Sequence, residues 1–173
     1  MGKKLAQHTP AALVLGFIAF LVVVIADLAI PDNFIIIKGL PWITFIGWPT
    51  YFMSGSTPSG GAQNIVSFII GAFSAIVIFE FAKIMGGSVW AVAASVGIIA
   101  ALLFYFELAP KILQHVPAMF VAAAVFIGLT HFQAGDYPTV FVTTVFYLAF
   151  GTLCGFLTVS FIQWNAKRSG NAE

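Results

Sequence analysis

The chain has 173 residues, of which 61% are hydrophobic and only 8% charged, and its formal net charge is +1. A soluble domain carries about 25% charged residues, so this composition excludes an ordinary globular domain, and the near-neutral balance gives no footprint for nucleic acid. The single cysteine, Cys154, excludes an intrachain disulfide and a cysteine metal cage.

About 20 apolar residues are needed to cross ~30 Å of hydrocarbon as a helix. Six segments meet that length, at residues 11–30, 34–54, 64–82, 88–106, 116–133 and 139–164, with short polar connections that leave no room for an inserted soluble domain. The first follows Lys3 and Lys4, is too long for a signal-peptide core and lacks an Ala-x-Ala site, so it is expected to stay as a helix, with Asp27 near its end. The second is interrupted by Lys38, Pro41, Gly47 and Pro49, which predicts a kinked or broken helix. Such a break at membrane depth is tolerated where protein or water satisfies the freed carbonyls. Trp42, Phe45 and Trp48 recur at spacings of three on it, near one face, to grip a solute or to face lipid. It ends at Tyr51-Phe52. The following Gly-Ser-Thr-Pro-Ser-Gly-Gly stretch has neither a lysine nor a preceding strand and reads as a turn rather than an anion loop.

The third segment holds Gly71-x-x-x-Ala75 and then Glu80, with Lys83 three residues on as a ready ion-pair partner. The fourth ends at Glu107. The fifth carries Phe120 and ends at His131-Phe132; His115 and His131 lie towards its opposite ends, and His8 is in the N-terminal tail, so no metal site is expected. The sixth holds Gly151-x-x-x-Gly155, a second small-xxx-small motif of the kind that lets helix backbones approach.

These features repeat at an offset of 80 residues: Tyr51-Phe52 with His131-Phe132, Pro58 with Pro138, Asp27 with Glu107, Gly71 with Gly151 and Ala75 with Gly155. Three spans per unit would place the second copy upside down. The predicted fold is therefore an all-α membrane protein of six transmembrane helices in two inverted three-helix repeats, about 9–86 and 87–166, within one integral membrane domain over 1–173 and a short tail at 167–173. The third and sixth helices are expected to pack together through their small residues across the pseudo-two-fold axis. Lys3, Lys4, Lys111, Lys167 and Arg168 share one side and Lys38 and Lys83 the other, which predicts both termini in the cytoplasm.

No Ser-His-acid set, paired carboxylates or phosphate-cradling glycine loop is evident, so neither an enzyme nor a cofactor is expected. Inverted repeats are a common plan for moving solutes. The Tyr51-Phe52 and His131-Phe132 pairs would sit at opposite ends of one pathway as aromatic constrictions, although an interfacial aromatic belt accounts for the same residues. The expected function is a channel or facilitator for a small neutral or weakly ionised solute: urea, ammonia, an amide or a short organic acid. A proton- or sodium-coupled transporter using Asp27, Glu80 or Glu107 is the alternative, and a non-transporting scaffold the third. The expected partners are the lipid bilayer, the solute and further copies of the chain.

Leu40-Pro41-Trp42-x-x-Phe45-x-Gly47-x-x-x-Tyr51-Phe52 before a Gly-rich turn, with Val116-Pro117-x-x-Phe120, Phe132, Gly135-Asp136 and Gly151-x-x-x-Gly155, resembles small bacterial inner-membrane proteins typified by YcdZ, over most of the chain. The resemblance implies a multi-span fold in a bacterial inner membrane. It implies no established substrate, because that group carries a domain of unknown function. Pro49 departs from the group's pattern and puts the helicity of the second span in question.

Overall fold

The computed structural model describes residues 2–132 and 136–168, with side chains from residue 9 onward. The loop half of the second motif, Gln133-Ala134-Gly135, the side chains of Lys3, Lys4 and His8, and tail residues 169–173 lie outside the described residues. No strand occurs among the described residues. The helices are α1 (Gly2–Val24, prolonged by a π-helical turn over Ile25–Ala29), α2 (Pro41–Met53), α3 (Pro58–Ile84), α4 (Val89–Phe104), α5 (Val116–Phe132) and α6 (Tyr137–Arg168). Short 3-10 turns at Tyr105–Leu108 and Lys111–Leu113 join α4 to α5.

Local chemistry sets the starts. Proline, with φ already fixed and no N–H to lose, opens α2 and α3 as Pro41 and Pro58. The Thr57 hydroxyl accepts from Gly60 N–H (3.0 Å), the Ser88 hydroxyl from Ala91 N–H (3.2 Å) and the Asp136 carboxylate from Thr139 N–H (3.0 Å), capping α3, α4 and α6.

Five helical stretches are long and apolar enough to cross a membrane: Thr9–Ala29, Pro58–Ile84, Val89–Leu108, Lys111–Phe132 and Tyr137–Arg168. The expected second span is different. Only its latter half is helical, and 13 residues reach about 20 Å, short of a ~30 Å core. Its first half, residues 31–40, runs without regular structure and is tied down by Phe34 N–H to Pro31 O, Gly39 N–H to Ala26 O and Ile37 N–H to the Thr143 hydroxyl. Gly39, at φ +76, makes the turn that a side chain would strain. The break is therefore at Leu40-Pro41. Pro49, which removes the donor for the Phe45 carbonyl, stays inside the helix.

Contacts fix the directions. Going up α2, Ile37, Gly47, Trp48 and Tyr51 meet Thr143, Leu148, Gly151 and Gly155 in turn, so α2 and α6 run parallel. Asn64, Gly71 and Phe79 of α3 meet His115, Met119 and His131 in the same way, so α3 runs parallel to α5. Between α3 and α6 the order reverses: Asn64 meets Thr152 and Phe79 stacks on Tyr137. Between those levels, one turn from the Asn64–Thr152 contact, stand Phe68 and Leu148, both fully buried and 80 residues apart. The core lies where α2, α3, α5 and α6 meet, and α1 and α4 are the most exposed spans.

Small residues make the close contacts, but not between the helices expected. A Cβ on Gly71 would fall within 2.7 Å of the Met119 carbonyl carbon on α5, and one on Gly151 within 2.7 Å of Trp48 N on α2. Each glycine thus serves a short helix of the opposite half, rather than joining α3 to α6. Gly155 makes room for the Tyr51 ring, and Ala75 is fully buried in the main core. Two outer grooves echo each other as well. One, of about 250 Å³ between α1 and α2, is lined by Leu15, Ala19, Phe45, Trp48, Pro49 and Phe52. The other, of about 140 Å³ between α4 and α5, includes Ile99, Phe120, Ala123, Ala124 and Ile127. Ile99 is 80 residues after Ala19, while Phe120, Ala123, Ala124 and Ile127 follow Phe45, Trp48, Pro49 and Phe52 by 75. The smaller offset arises because the stretch from Ile99 to Phe120 is five residues shorter than that from Ala19 to Phe45.

Candidate functional site

The interior holds an unusual set of polar atoms. Hydroxyls in apolar helices normally return to their own backbone, as Ser74 does to Gly71 O, Ser95 to Ala91 O, Thr130 to Phe126 O and Thr158 to Cys154 O. Thr44 on α2, Ser67 on α3, and Thr144 and Tyr147 on α6 do not: each is fully buried, and its hydroxyl has no hydrogen-bond partner among the described residues. They span a band of roughly 8 Å along the bundle. Thr44 is three residues before Gly47, which packs on Leu148; Thr144 and Tyr147 are four and one before Leu148 on the parallel helix; Ser67 adjoins Phe68 at the crossing level. Leaving a buried hydroxyl unpaired costs about 1–3 kcal/mol. Four within this band mark the part of the molecule where packing alone does not explain the residues.

Towards the N-terminal end of α3 a second polar group is fully satisfied. Thr50 donates its hydroxyl proton to Gly47 O, so its oxygen can only accept, here from Asn64 Nδ2 (3.4 Å). Asn64 Nδ2 also reaches the Thr152 hydroxyl (3.5 Å), and Asn64 Oδ1 faces His115 Nδ1 (2.6 Å), which must then carry the proton. This group ties α2, α3, α6 and the start of α5 together. Beside it a shallow pocket of about 320 Å³ is lined by Tyr51, Gly61, Thr152 and Phe156, among others.

At the break itself, a cavity of about 360 Å³ lies between the start of α2 and the end of α5, lined by Leu40, Trp42, Gly128, Leu129 and Phe132. A Cβ added at Gly128 would meet nothing within 4 Å.

The sequence profile of DUF1097, described as a protein of unknown function, matches residues 12–161. The chain belongs to this family. No curated protein and no solved structure matches it.

Within this DUF1097 fold the predicted residues separate into groups. Trp42 and Phe132, from different halves, share the cavity at the break. Phe45 and Trp48 stack at 6.3 Å in the α1–α2 groove with Phe52, so α2 turns Trp42 away from them and the three do not form one face. Trp48 is itself buried, with its indole N–H unpartnered. Phe120 lines the α4–α5 groove. Tyr51 is packed inside, edge-on to Phe52 and Phe156, whereas His131 is exposed, bonded to Ile127 O (2.9 Å) and tilted against Phe79. Asp27 and Glu107 stand at opposite ends of the bundle, and Glu80 pairs with Lys83 (2.6 Å), which also meets the Tyr137 hydroxyl (3.1 Å). Lys38 pairs with Asp32. All five acidic residues within the described range are exposed, and no group of three metal-ligating side chains occurs there.

Sequence reasoning passed over Leu40, Thr44, Asn64, Ser67, Thr144 and Tyr147. The available signal was Thr143-Thr144 and Tyr147 in the interior of the longest apolar segment, where a hydroxyl must find a partner or a purpose.

Proposed function

We propose that this protein is a narrow channel or facilitator for a small neutral or weakly ionised solute, of the urea, ammonia, amide or short organic acid class. The observation that carries this reading is the set of four buried, unpaired and uncharged hydroxyls on α2, α3 and α6 inside the bundle. Such groups exchange hydrogen bonds with a polar solute, yet offer an ion no countercharge. The exposure of every described carboxylate weighs against the proton- or sodium-coupled alternative, since a coupling acid belongs at the bundle interior.

On this reading α2 and the irregular stretch before it form a sixth, broken crossing, and the two halves are inverted repeats. The exchange of partners, α2 with α6 and α5 with α3, and the matched grooves support that arrangement. Lys111, Lys167 and Arg168 lie at the end shared by both termini, which favours that end as cytoplasmic; the YcdZ-like motifs favour a bacterial inner membrane. Each protomer of a homo-oligomer would keep its own path, because the hydroxyls lie within one chain.

The test is stopped-flow light scattering of proteoliposomes under gradients of urea, acetamide, formate and acetate. Accelerated equilibration of at least one solute over protein-free vesicles is expected. Protein-free rates for every solute would refute the channel reading.

A further inference from the structure

The polar group at the start of α5 joins a titratable side chain to the seam between α2 and α6. Asn64, fully buried on α3, spans that seam: its Nδ2 donates to the hydroxyls of Thr50 on α2 (3.4 Å) and Thr152 on α6 (3.5 Å), while its Oδ1 accepts from His115 Nδ1 (2.6 Å). Thr50 in turn donates to Gly47 O, and Gly47 is the residue whose close approach to Leu148 seals the seam. A chain of donors thus runs from a half-buried histidine to the backbone of the short helix. On the channel reading α2 has to shift against α6, and Asn64 is the side chain that holds both.

The chain has two possible directions. An amide has an oxygen that accepts and a nitrogen that donates, and a neutral imidazole has one nitrogen of each kind. Turning the Asn64 amide over lets Nδ2 donate to an unprotonated His115 Nδ1, and Oδ1 then accepts from the two threonines. In the observed orientation Thr50 keeps both its bonds, to Gly47 O and to Asn64. In the reversed one its single proton serves only one of them, so the bridge competes with the bond that Thr50 makes to its own helix. A histidine carrying both protons only donates, which permits the observed orientation alone. The surroundings leave that choice to His115. The α4–α5 connection has Glu107 and Lys111, both exposed, and its carbonyls accept from Gln63 and Gln114. Besides Asn64, α2 brings Thr50 and Tyr51 and α6 brings Thr152, while Lys167 and Arg168 stand ~20 Å further along α6.

Resting on the channel reading above, we propose that His115 is a pH-dependent latch on the pathway, acting through Asn64 on the seam between α2 and α6. With both ring nitrogens protonated, His115 holds the Asn64 amide in its bridging orientation and keeps α2 against α6. Neutral, it lets the amide turn and α2 part from its neighbours. Histidine gains its second proton close to neutrality, so the latch closes as the compartment at this end of the bundle acidifies.

The test measures flux of urea, acetamide, formate and acetate into proteoliposomes at about pH 8 and about pH 5.5, either side of the histidine range. Wild type is compared with His115→Gln, whose amide donates and accepts but does not titrate. Taking the ratio of wild type to variant at each pH cancels any ionisation of the solute. That ratio should fall about tenfold on acidification, the difference between a charge-assisted and a neutral hydrogen bond. Thr50→Val, which takes α2 out of the bridge, should raise the flux at acid pH to its alkaline value. Independently of flux, the side-chain amide signal of Asn64, followed by NMR of the isotope-labelled wild-type protein in detergent, should move in step with the titration of His115. A ratio that holds or rises on acidification, or an Asn64 signal unmoved while His115 titrates, would overturn the latch while leaving the channel. Protein-free rates for every solute at both pH values would instead remove the channel on which it rests.

Discussion

Substituting the glycines that seat the short helices should separate packing from propensity. A Cβ on Gly71 would lie 2.7 Å from the Met119 carbonyl carbon and nearer still to its oxygen, where ordinary contact begins at about 3.4 Å. The obstacle is backbone, which cannot rotate away, so α3 and α5 must part by roughly 1 Å along their contact. Overpacking of this kind costs typically 1–3 kcal/mol. Alanine returns ~1 kcal/mol of helix propensity, which leaves Gly71→Ala destabilised by about 0–2 kcal/mol. Gly151→Ala faces the same obstacle from α2. Gly97 in α4 is the control: its Cβ would meet nothing within 4 Å, so Gly97→Ala keeps only the propensity gain.

The two kinds of variant should differ by roughly 2 kcal/mol, or about 4–8 °C in a chain of this length. Thermal unfolding in detergent, followed by the fluorescence of the four tryptophans, measures it. If Gly71→Ala and Gly151→Ala unfold at or above the temperature of Gly97→Ala, the close approach of α3 to α5 and of α6 to α2 is wrong.

Three further outcomes follow from the same geometry. Hydrogen bonds from the Thr139 side chain and backbone hold the Asp136 carboxyl below its usual range; a depressed folded pKa stabilises above the unfolded value and is lost as pH falls through the folded one, so acidification below about pH 4 should lower the protection of the Thr139 and Val140 amides relative to unstructured amides at the same pH, and Asp136→Ala should show that low protection at neutral pH already. Glu80→Gln breaks an exposed, solvent-screened pair and should leave downhill solute flux unchanged; a variant that loses gradient-driven uptake would favour coupling instead. In a Cys154→Ser background, Ser56→Cys and Asp136→Cys should react with an impermeant maleimide from opposite sides of the membrane, and labelling from one side would end the inverted arrangement.

The helix starts and close backbone contacts were legible where their markers are backbone requirements. Pro58 opens α3 and Tyr137-Pro138 opens α6; Gly71 and Gly151 each mark a helix surface with no room for a side chain. What a glycine cannot say is whose backbone arrives, and the expected α3–α6 pairing was the wrong partner for both. The half-length of α2 was partly visible in Lys38, Gly39 and Pro41, since proline at the first helical position reads as a start, yet the apolar residues at 34–37 outweighed that signal by hydropathy alone. The hydroxyls were hidden for a different reason. Thr158 and Thr144 look identical in sequence, both set among apolar neighbours in α6, but Thr158 bonds to Cys154 O and Thr144 to nothing among the described residues. Only the packing separates a threonine that serves its helix from one left for another purpose.

That distinction bears on how a solute could pass. A buried charge would cost far more than a hydroxyl and would need a fixed counterion, which then competes with any solute that arrives. An unpaired hydroxyl costs about 1–3 kcal/mol, and a passing molecule that bonds to it recovers much of that without being held tightly. Conduction needs this balance, with binding favourable enough for entry and weak enough for release. At the level of Leu148 the seam between α2 and α6 is closed by the backbone contacts of Gly47 and Gly151; near the break in α2 lies the cavity walled by Leu40, Trp42 and Phe132. On the channel reading, passage would require α2 to shift against α6. Left-handed turns stand at both ends of α2, Gly39 before it at φ +76 and Gly55 and Ser56 after it at φ +87 and +55, and these are the points where the backbone would have to turn for such a shift.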